Sequence, residues 1–370
     1  MKSTQGTGSR MKPKRIMLFG TGGGSGVTRF LVDSAATHKR LGNFDPMVVF
    51  RRKRNPLGQQ FIDDLEADDV PWAEVRAAPK IVTITQLRRR IREFRPDIFV
   101  VHGHSDHIWG RMAAIRERVP IVIMVEQNIE RYVWLQRLRS VALARHTDAI
   151  VAVSHGVGEN LVRLGHPRHT LHVIHNGTLP GRFDRAAEVP LDEREPAVLM
   201  AARFARQKDH ASLIRAAGLL RDRGTPVKIR LAGCGSSRHE RKVRRLVTEF
   251  GLRDQVEFLG PRDDIAALLA QHRVSVLSTR YEGLAIAVVE AMVAGCAVVA
   301  SNVVGVEDVI EHGKTGWLVK PGDPESLARG ITEALGPEGV ARAAAGRGFA
   351  LRYLSMEKIV SDYESLFRTL

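Results

Sequence analysis

Two glutamates eight positions apart, Glu282 and Glu290, are the residues in this sequence whose type and spacing first suggest a binding or catalytic role. Gly283 follows the first glutamate directly, and small and apolar residues separate the pair. A charge within an otherwise apolar helix needs a partner or a ligand, which favours a binding role for these carboxylates. The alternative, a capping charge followed by a solvated helix residue, stays open on this stretch alone.

The flanking residues predict a strand, a loop and a helix around the two glutamates. Residues 274–278 predict a buried strand, the apolar run after the first glutamate predicts a helix that ends at Gly295, and residues 297–300 predict another strand. The first glutamate would then lie on the loop at the carboxyl end of a strand. The second would lie about two turns into the helix. Backbone N–H groups at such a helix start favour an anion.

Strands and helices alternate through the whole chain. In the first half, strands are predicted at residues 15–19, 47–50, 97–101, 120–125, 149–154 and 171–174. In the second half, they are predicted at residues 197–202, 228–232, 256–260, 274–278, 297–300 and 316–319. This alternation predicts an α/β protein with doubly wound parallel sheets and helices on both faces. Ligands of such sheets bind at the carboxyl ends of the strands.

Composition along the chain predicts the domain limits. Residues 1–13 are polar and are expected to be disordered. Residues 181–196 are irregular and contain two prolines, which predicts a linker between an N-terminal domain, 14–180, and a C-terminal domain, 197–348. Residues 349–370 predict one or two terminal helices.

A glycine-rich loop that contains Gly23 and Gly24 follows the first predicted strand. Strand, glycine loop and helix form the arrangement through which a doubly wound sheet approaches a phosphate. However, Ser25 stands where the dinucleotide spacing requires a glycine or alanine, and Arg51 follows the second strand where an acid is expected. The sequence therefore disfavours a nicotinamide enzyme, and a simple tight turn remains the alternative.

Three histidines, His102, His104 and His107, follow the strand at 97–101. Their spacing suggests a metal site, but no His-Glu-x-x-His pattern accompanies them. We interpret them as polar residues of the crevice and predict no metal ligands.

The composition describes a globular protein of two ordinary domains, with 370 residues, 44% hydrophobic and 26% charged. No apolar run approaches the roughly 18 residues that a membrane helix needs. Cys234 and Cys296 both stand among small and apolar residues, so we expect two buried free thiols and a reducing cytoplasm.

The net charge of +15 is uneven, because the first 180 residues hold 28 basic against 16 acidic side chains. Basic runs at residues 51–54, 88–95 and 131–145 predict a surface that attracts anionic lipid, a phosphate-bearing substrate or nucleic acid. The alternative is a set of solvated faces. No nucleic-acid module pattern is present, so a nucleic-acid partner is disfavoured. Residues 131–146 predict a basic amphipathic helix, for which packing on its sheet is favoured over contact with a membrane.

The second half carries an ordered set of features that follow successive strands: Arg203 with Lys208, Gly233-Cys234-Gly235, Glu282-Gly283-Leu284 with Glu290, and residues 314–324. This set resembles the retaining GT-B glycosyltransferases of family 4, also called group 1. The resemblance covers nearly the whole chain from Arg15, and it is looser in the N-terminal half.

The resemblance implies a GT-B fold, with two Rossmann-like domains that face each other across a cleft. The N-terminal domain would bind the acceptor and the C-terminal domain a nucleotide-sugar donor. The last helix, within 349–370, would cross back to the N-terminal domain.

The resemblance also implies roles for individual side chains. Arg203 and Lys208 would neutralise the donor diphosphate, which agrees with the general need to stabilise a leaving group of growing negative charge. Glu282 would lie near the transferred sugar and act with these two cations in catalysis. Glu290 would hold the hydroxyls of the nucleotide ribose.

Glycine and backbone positions would complete the donor site. Gly233 would border it, and the amides of Gly283 and Leu284 would lie at the helix start. Gly23 and Gly24 would approach the donor from the other domain.

One position departs from the family pattern. The strand at 120–125 is followed by Glu126-Gln127-Asn128, and Gln127 stands where members of the family commonly have a histidine near the reacting sugar. Glutamine donates and accepts hydrogen bonds but carries no proton charge. An imidazole from His102 or His104 on the sugar or acceptor side is the alternative source.

The function expected from this resemblance is metal-independent transfer of a sugar, with retention and no protein nucleophile, from a UDP-sugar or GDP-sugar to a glycan or lipid-linked acceptor. No Asp-x-Asp triplet occurs, and no cofactor is expected. The enzyme would serve cell-surface polysaccharide synthesis in the cytoplasm, at the inner face of the membrane. Three alternatives remain: a nucleotide-sugar epimerase, a phosphorylase, and an inactive basic scaffold that binds membrane or nucleic acid.

Overall fold

The computed structural model describes residues 13–23, 26–52, 56–129 and 132–370, with the side chains of residues 104 and 105 excepted. The predicted disorder of residues 1–12 and the expected role of Gly24 lie outside the described residues. So do Lys53, Arg54 and Arg131 of the predicted basic runs.

Thirteen strands and fourteen α-helices occur in the described part of the chain. The first half contains β1 (Lys14–Thr21), α1 (Gly26–Leu41), β2 (Phe44–Arg52), α2 (Gln59–Ala67), β3 (Trp72–Arg76), α3 (Lys80–Phe94), β4 (Ile98–His102), α4 (His104–Arg116), β5 (Ile121–Glu126), α5 (Trp134–Ala144), β6 (Ala149–Ala152), α6 (His155–Arg163) and β7 (Leu171–Val173). The second half contains α7 (Asp184–Ala187), β8 (Glu195–Ala201), α8 (His210–Asp222), β9 (Ile229–Ala232), α9 (Ser237–Glu249), β10 (Val256–Gly260), α10 (Ile265–Gln271), β11 (His272–Leu277), α11 (Ile286–Val293), β12 (Ala297–Ser301), β13 (Trp317–Val319), α12 (Pro324–Leu335), α13 (Glu338–Tyr353) and α14 (Met356–Thr369).

The strands form two sheets, one with the order β3-β2-β1-β4-β5-β6-β7 and one with the order β10-β9-β8-β11-β12-β13. Neighbouring strands pair in parallel, for example β8 with β11 and β11 with β12. The predicted α/β class with doubly wound parallel sheets is therefore confirmed. In both sheets the strand order reverses beside the first strand, between β1 and β4 and between β8 and β11. Ligands of open α/β sheets bind outside the carboxyl ends of the strands at such a point.

Continuous burial explains why the central strands read as unbroken apolar runs. In β11 and β12, Val274 pairs with Ala297 and Val276 with Val299, and all four side chains are at most 2% exposed. Strands that are covered by helices on both faces require such runs.

The described chain divides into two compact units. The first holds the residues up to Val125 with Ala142–Ala149 and Leu370, and the second holds Glu126–Val141 with Ile150–Thr369. The loops that follow β8 and β11 both belong to the second unit. The predicted domain limits near residues 180 and 197 stay a prediction.

The C-terminal helices start earlier than predicted. The first of them begins at Glu338 and not near residue 349, in keeping with the strong helix propensity of its alanine-rich sequence. The N–H of Thr178 donates to the Leu354 carbonyl at 3.1 Å, and the N–H of Met356 donates to the Thr178 carbonyl at 2.9 Å. These bonds tie the junction between α13 and α14 to the segment after β7. The predicted crossing to the N-terminal domain stays a prediction.

The two cysteines differ in exposure. Cys296 is buried as expected, and burial raises the pKa of its thiol to about 11. Cys234 is exposed, so the expectation that both thiols are buried is wrong. Cys234 lies in the loop after β9, which leaves the sheet and faces solvent.

Candidate active site

The carboxyl ends of β8 and β11 bring together two residues that the sequence singled out, Lys208 and Glu282. The Lys208 Nζ donates to Glu282 Oε1 at 2.5 Å, and the two side chains are 14% and 8% exposed. An antiparallel bridge between Lys208 and Thr279 joins the two loops. The Asp209 N–H also donates to the Ser278 carbonyl at 2.9 Å. The loops are thus held to each other by backbone as well as by charge.

Two further side chains orient the Glu282 carboxylate. Gln207 Nε2 donates to Oε2 at 2.9 Å, and the Thr279 hydroxyl donates to Oε1 at 2.6 Å. A buried carboxylate requires such partners, because desolvation of an unpaired charge is costly. Sequence reasoning missed Gln207 and Thr279. Their place in the same two loops, next to Lys208 and three residues before Glu282, was the available signal.

Gly233 lies at a position where any other residue would require the neighbouring backbone to move. Its φ is +149°, and a Cβ built on it would lie 2.3 Å from the Ala202 carbonyl oxygen. Because that contact is with backbone, the loops after β8 and β9 approach each other at this point only with glycine. The structure thereby explains the glycine beside the predicted donor site.

Gly283 is enclosed by backbone on two sides. A Cβ built on it would lie 1.9 Å from the Gln127 carbonyl oxygen, and a Cβ built on Gly305 would lie 2.1 Å from the Gly283 carbonyl oxygen. The N–H of Ala285 donates to the Gly305 carbonyl at 3.2 Å, so this N–H is bonded outside the helix. The helix begins only at Ile286, so the expectation that the Gly283 and Leu284 amides lie at its start is wrong by three and two residues.

Gln127 packs beside this loop through its backbone, and its side chain has a described partner. Asn176 Nδ2 donates to Gln127 Oε1 at 2.7 Å. The side chain in the place of the family's histidine is therefore held by an amide that comes just after β7.

The remaining predicted donor residues lie around the pair. Arg203 is exposed in the loop after β8, and Leu284 is buried after β11. Glu290 lies in the second turn of α11 and is partly buried. The helix terminator at Gly295, with φ +76°, is confirmed.

A cavity of about 550 Å³ adjoins Lys208 between the loop after β8 and helices α8 and α9. Its lining includes Arg206, Arg215, Lys242 and Arg280, so the surroundings of Lys208 are strongly cationic. His210 lies on the same wall, and burial lowers the pKa of its imidazole from 6.5 to about 4.

In the first unit, Gly23 lies just after β1, and His102 is the last residue of β4. Gly23 has φ +142°, and no heavy atom lies within 4 Å of a Cβ built on it. Burial lowers the pKa of His102 from 6.5 to about 3, so its imidazole is neutral at neutral pH. His104 is the first residue of α4, and its side chain is outside the description.

Arg51 is not part of the basic surface predicted for residues 51–54. It is 2% exposed and forms an ion pair with Asp106, which is also 2% exposed. The Thr21 hydroxyl donates to Asp106 Oδ2 at 2.5 Å, and Arg51 Nη2 donates to the same hydroxyl at 3.3 Å. Parallel pairing of Thr21 with Arg51 places this charge beside the end of β1, where only the assembled sheet buries it.

Helix α5 leaves several apolar side chains in solvent, and the expected packing of this helix on its sheet stays a prediction. Trp134 is 72% exposed, Leu138 55%, Leu135 42%, and the preceding Val133 60%. Among the described residues, no helix has the length and apolar character to span a membrane.

One group of side chains in the described part of the chain has the composition and compactness to hold a metal ion: His155, His175 and Asp308. Asp308 Oδ2 lies 2.9 Å from His155 Nδ1 and 3.3 Å from His175 Nε2. Burial alone would raise the pKa of Asp308, but hydrogen bonds from His175 and His155 lower it to about 2. His102 and His107 do not belong to this group; His107 Nδ1 lies 3.0 Å from Arg111 Nη2.

Two family profiles match consecutive parts of the chain. The profile described as Glycosyltransferase Family 4 matches residues 24–180, and the profile described as Glycosyl transferases group 1 matches residues 182–346.

Curated relatives and a solved structure agree with these profiles. Alpha-maltose-1-phosphate synthase of Mycolicibacterium smegmatis is 30% identical over 64% of this chain and 68% of its own length. Amylovoran biosynthesis glycosyltransferase AmsK of Erwinia amylovora is 24% identical over 64% of this chain and 61% of its own. Anabaena HepE, solved with UDP and glucose, superposes with a TM-score of 0.82 at 19% identity over 96% of this chain and 100% of its own.

The chain spans about three fifths of the length of several of its curated relatives. The two profiles, the 30% identical relative and the shared architecture nevertheless agree on one assignment. The chain belongs to the GT-B glycosyltransferases of family 4 and group 1.

Proposed function

We propose that this protein transfers a sugar from a nucleotide diphosphate sugar to a glycan or lipid-linked acceptor in the synthesis of a cell-surface polysaccharide. The observation that carries the proposal is the Lys208–Glu282 pair at the point where the strand order reverses, with Arg203 in the same loop as the lysine. The relative AmsK is named for amylovoran biosynthesis, and HepE was solved with UDP and glucose. We propose a UDP-sugar or GDP-sugar as the donor, and the UDP bound in HepE supports the first of these.

Cations at this edge suit a departing diphosphate. A lysine ammonium has three donors, and Glu282 is the one described acceptor for those of Lys208, which leaves two for phosphate oxygens. The exposed Arg203 supplies a fork of donors that matches phosphate geometry. Together they stabilise the charge that develops on the leaving group, and we propose that no metal ion or cofactor takes part in this step.

Glu282 is suited to orient the sugar. An ionised carboxylate offers about four acceptor positions. Lys208, Thr279 and Gln207 occupy three of them, which leaves one for a sugar hydroxyl. Because the partners lock the carboxylate in place, that hydroxyl is held in one orientation. We assign no protein nucleophile, and we propose retention by attack of the acceptor hydroxyl on the donor face from which the diphosphate departs.

The proposal extends to Glu290, to Gly233 and to the backbone at Gly283. Glu290 would hold the nucleotide ribose, and the close backbone approaches at the two glycines would shape the donor site. Gln127 would serve as a hydrogen-bonding group, since its amide carries no proton charge.

We further propose that α5 brings the enzyme to an anionic membrane surface. Its exposed Trp134 and Leu138 would enter the interface, and Arg137 and Arg139 of the same helix would contact lipid phosphates. Co-sedimentation with phosphatidylglycerol vesicles tests this proposal. The double variant Trp134→Ser/Leu138→Ser should lose binding, whereas Val340→Ser, which alters an apolar side chain on α13 that is 50% exposed, should retain it.

The activity is tested with a panel of nucleotide sugars, by donor hydrolysis and by transfer to acceptors. Glu282→Ala and Arg203→Ala should abolish turnover, whereas Lys228→Met, a surface lysine paired with Glu195, should leave it unchanged. Intact turnover in both site variants would show that the site is assigned wrongly. Interconversion of the donor without acceptor would show an epimerase, phosphate-dependent cleavage would show a phosphorylase, and NMR of the product anomer would test retention.

A further inference from the structure

We infer that His155, His175 and Asp308 form a binding site for a divalent transition-metal ion with the preferences of Zn²⁺. His155 is the first residue of α6, His175 lies two residues after β7, and Asp308 lies in the loop between β12 and β13. All three belong to the second unit. The site is separate from the Lys208–Glu282 pair and does not depend on the proposed function.

The distances suit a small ion. Zinc lies about 2.0–2.2 Å from nitrogen and oxygen ligands, which places neighbouring ligands of a tetrahedral site about 3.4 Å apart. Asp308 Oδ2 lies 2.9 Å and 3.3 Å from the two imidazole nitrogens, and one ligand atom from each residue lies within 4.8 Å of the others. In the structure, ring N–H groups bridge these gaps. An ion would replace those protons after small side-chain movements.

The ligand chemistry favours a transition metal over Mg²⁺ or Ca²⁺. Two imidazoles and one carboxylate form a nitrogen-rich set, whereas the harder cations prefer oxygen ligands. Three protein ligands leave a fourth position for water. The His155 ring is 76% exposed, which gives the ion a path from solvent.

The carboxylate is anchored before any ion arrives. Asp308 is only 4% exposed, and its Oδ2 accepts the backbone N–H of His155 at 2.8 Å. Fixed outer contacts of this kind orient ligands and raise affinity. The alternative is a cluster that is held only by hydrogen bonds and binds no metal ion. A measurement of metal binding distinguishes these two possibilities.

The location suggests what an ion would do. Asp308 lies three residues after Gly305, whose backbone packs on Gly283. His175 directly precedes Asn176, which holds Gln127. An ion would therefore join two segments that flank the Gln127–Gly283 contact and restrict their relative movement.

The test is metal binding by the full chain after treatment with EDTA. Competition with a chromophoric chelator should show a high-affinity site for Zn²⁺, one ion per chain, that millimolar Mg²⁺ does not displace. The double variant His155→Ala/His175→Ala should lose this site. His169→Ala, an exposed histidine in the turn before β7, should keep it. Bound Co²⁺ should show the intense visible bands of a four-coordinate site.

A milder variant guards against misfolding. Asp308→Asn keeps the side-chain volume but replaces the anionic ligand with a neutral amide, so it should weaken Zn²⁺ binding by at least the roughly tenfold that the loss of a contact outside the ligand shell costs. Zn²⁺ should also raise the thermal midpoint of the wild type and not that of the variants. Equal stoichiometry in the wild type and the double variant, or no Zn²⁺ affinity above that of surface histidines, would overturn the inference. Sugar transfer is not part of any readout, so failure of the proposed function would not affect the result.

Discussion

Removing the ammonium of Lys208 should leave the buried Glu282 carboxylate without its charge partner. Lys208→Met keeps most of the stem that packs between the loops and deletes only the charge. The Nζ–Oε1 distance is 2.5 Å, and the side chains are 14% and 8% exposed, so water compensates the lost pair only slightly.

The expected cost follows from this burial. Breaking a buried ion pair by removing one partner costs about 3–5 kcal/mol. Gln207 and Thr279 still donate to Glu282, which places the expected loss of unfolding free energy near the lower value, about 3 kcal/mol. Lys228→Met breaks a pair whose lysine is 67% exposed and should cost at most about 1 kcal/mol.

A double-mutant cycle isolates the pair. Glu282→Gln removes the charge that Lys208→Met leaves behind, so the double variant should be more stable than the sum of the single effects predicts, by about 2 kcal/mol. Guanidinium unfolding followed by the fluorescence of Trp317, with the other tryptophans replaced by phenylalanine, reports on the sheet that carries the pair. Trp317 is 1% exposed in β13, and unfolding changes its environment fully.

The reasoning fails under two outcomes. If Lys208→Met costs no more than Lys228→Met, the pair is not effectively buried. If the effects of Lys208→Met and Glu282→Gln add, the lysine and the carboxylate are not coupled. An altered denaturant slope would mean that unfolding is no longer two-state or that the compactness of the native or the denatured state has changed. Hydrogen exchange of the two loops would then replace the unfolding measurement.

Three further predictions follow from single contacts. Gly283→Ala places a methyl group against the Gln127 carbonyl and should lower the free energy of unfolding by about 1–3 kcal/mol. The control Gly348→Ala has no atom near the added methyl group and should be neutral or stabilising. Thermal unfolding compares the stability of the two variants. Because burial lowers the pKa of His210 to about 4, the unfolded chain binds a proton that the folded chain excludes, and stability should fall as pH drops from 6.5 towards 4. Urea midpoints across that range should fall less steeply in His210→Gln, and an unchanged slope would exclude this histidine as a cause. Asn176→Ala should cost about 1 kcal/mol by calorimetry, since Gln127 loses a donor; no cost would mean that water replaces it.

Local patterns were sufficient for much of the fold. The apolar runs of β8, β11 and β12 could be predicted as strands because both faces of these strands are buried. Gly295 could be predicted as a helix end, because the residue after a helix often has a positive φ, which favours glycine. Helix starts were harder to predict. The start at Ile286 is an example, because the N–H of Ala285 donates to the carbonyl of Gly305, twenty positions away.

The candidate site was predicted in part. Lys208 and Glu282 were identified by type and order, and the structure brings them together. Gln207 and Thr279 were missed, because glutamine and threonine carry no distinctive signal until the two loops pair. The exposed apolar side chains of α5 were not predicted, since periodicity shows that a helix has an apolar side and not what covers it.

The sequence by itself determined the fold class and the family resemblance. The fold class follows from the period of burial, and the resemblance follows from residue types and their order along the chain. The diphosphate-binding roles that the resemblance implies stay a prediction. Only the tertiary structure decided which charges meet. It buried Arg51 beside Asp106, and it joined His155 to Asp308 across 153 positions. The physical reason is that sheet order and loop contacts set such distances, and no local period encodes them.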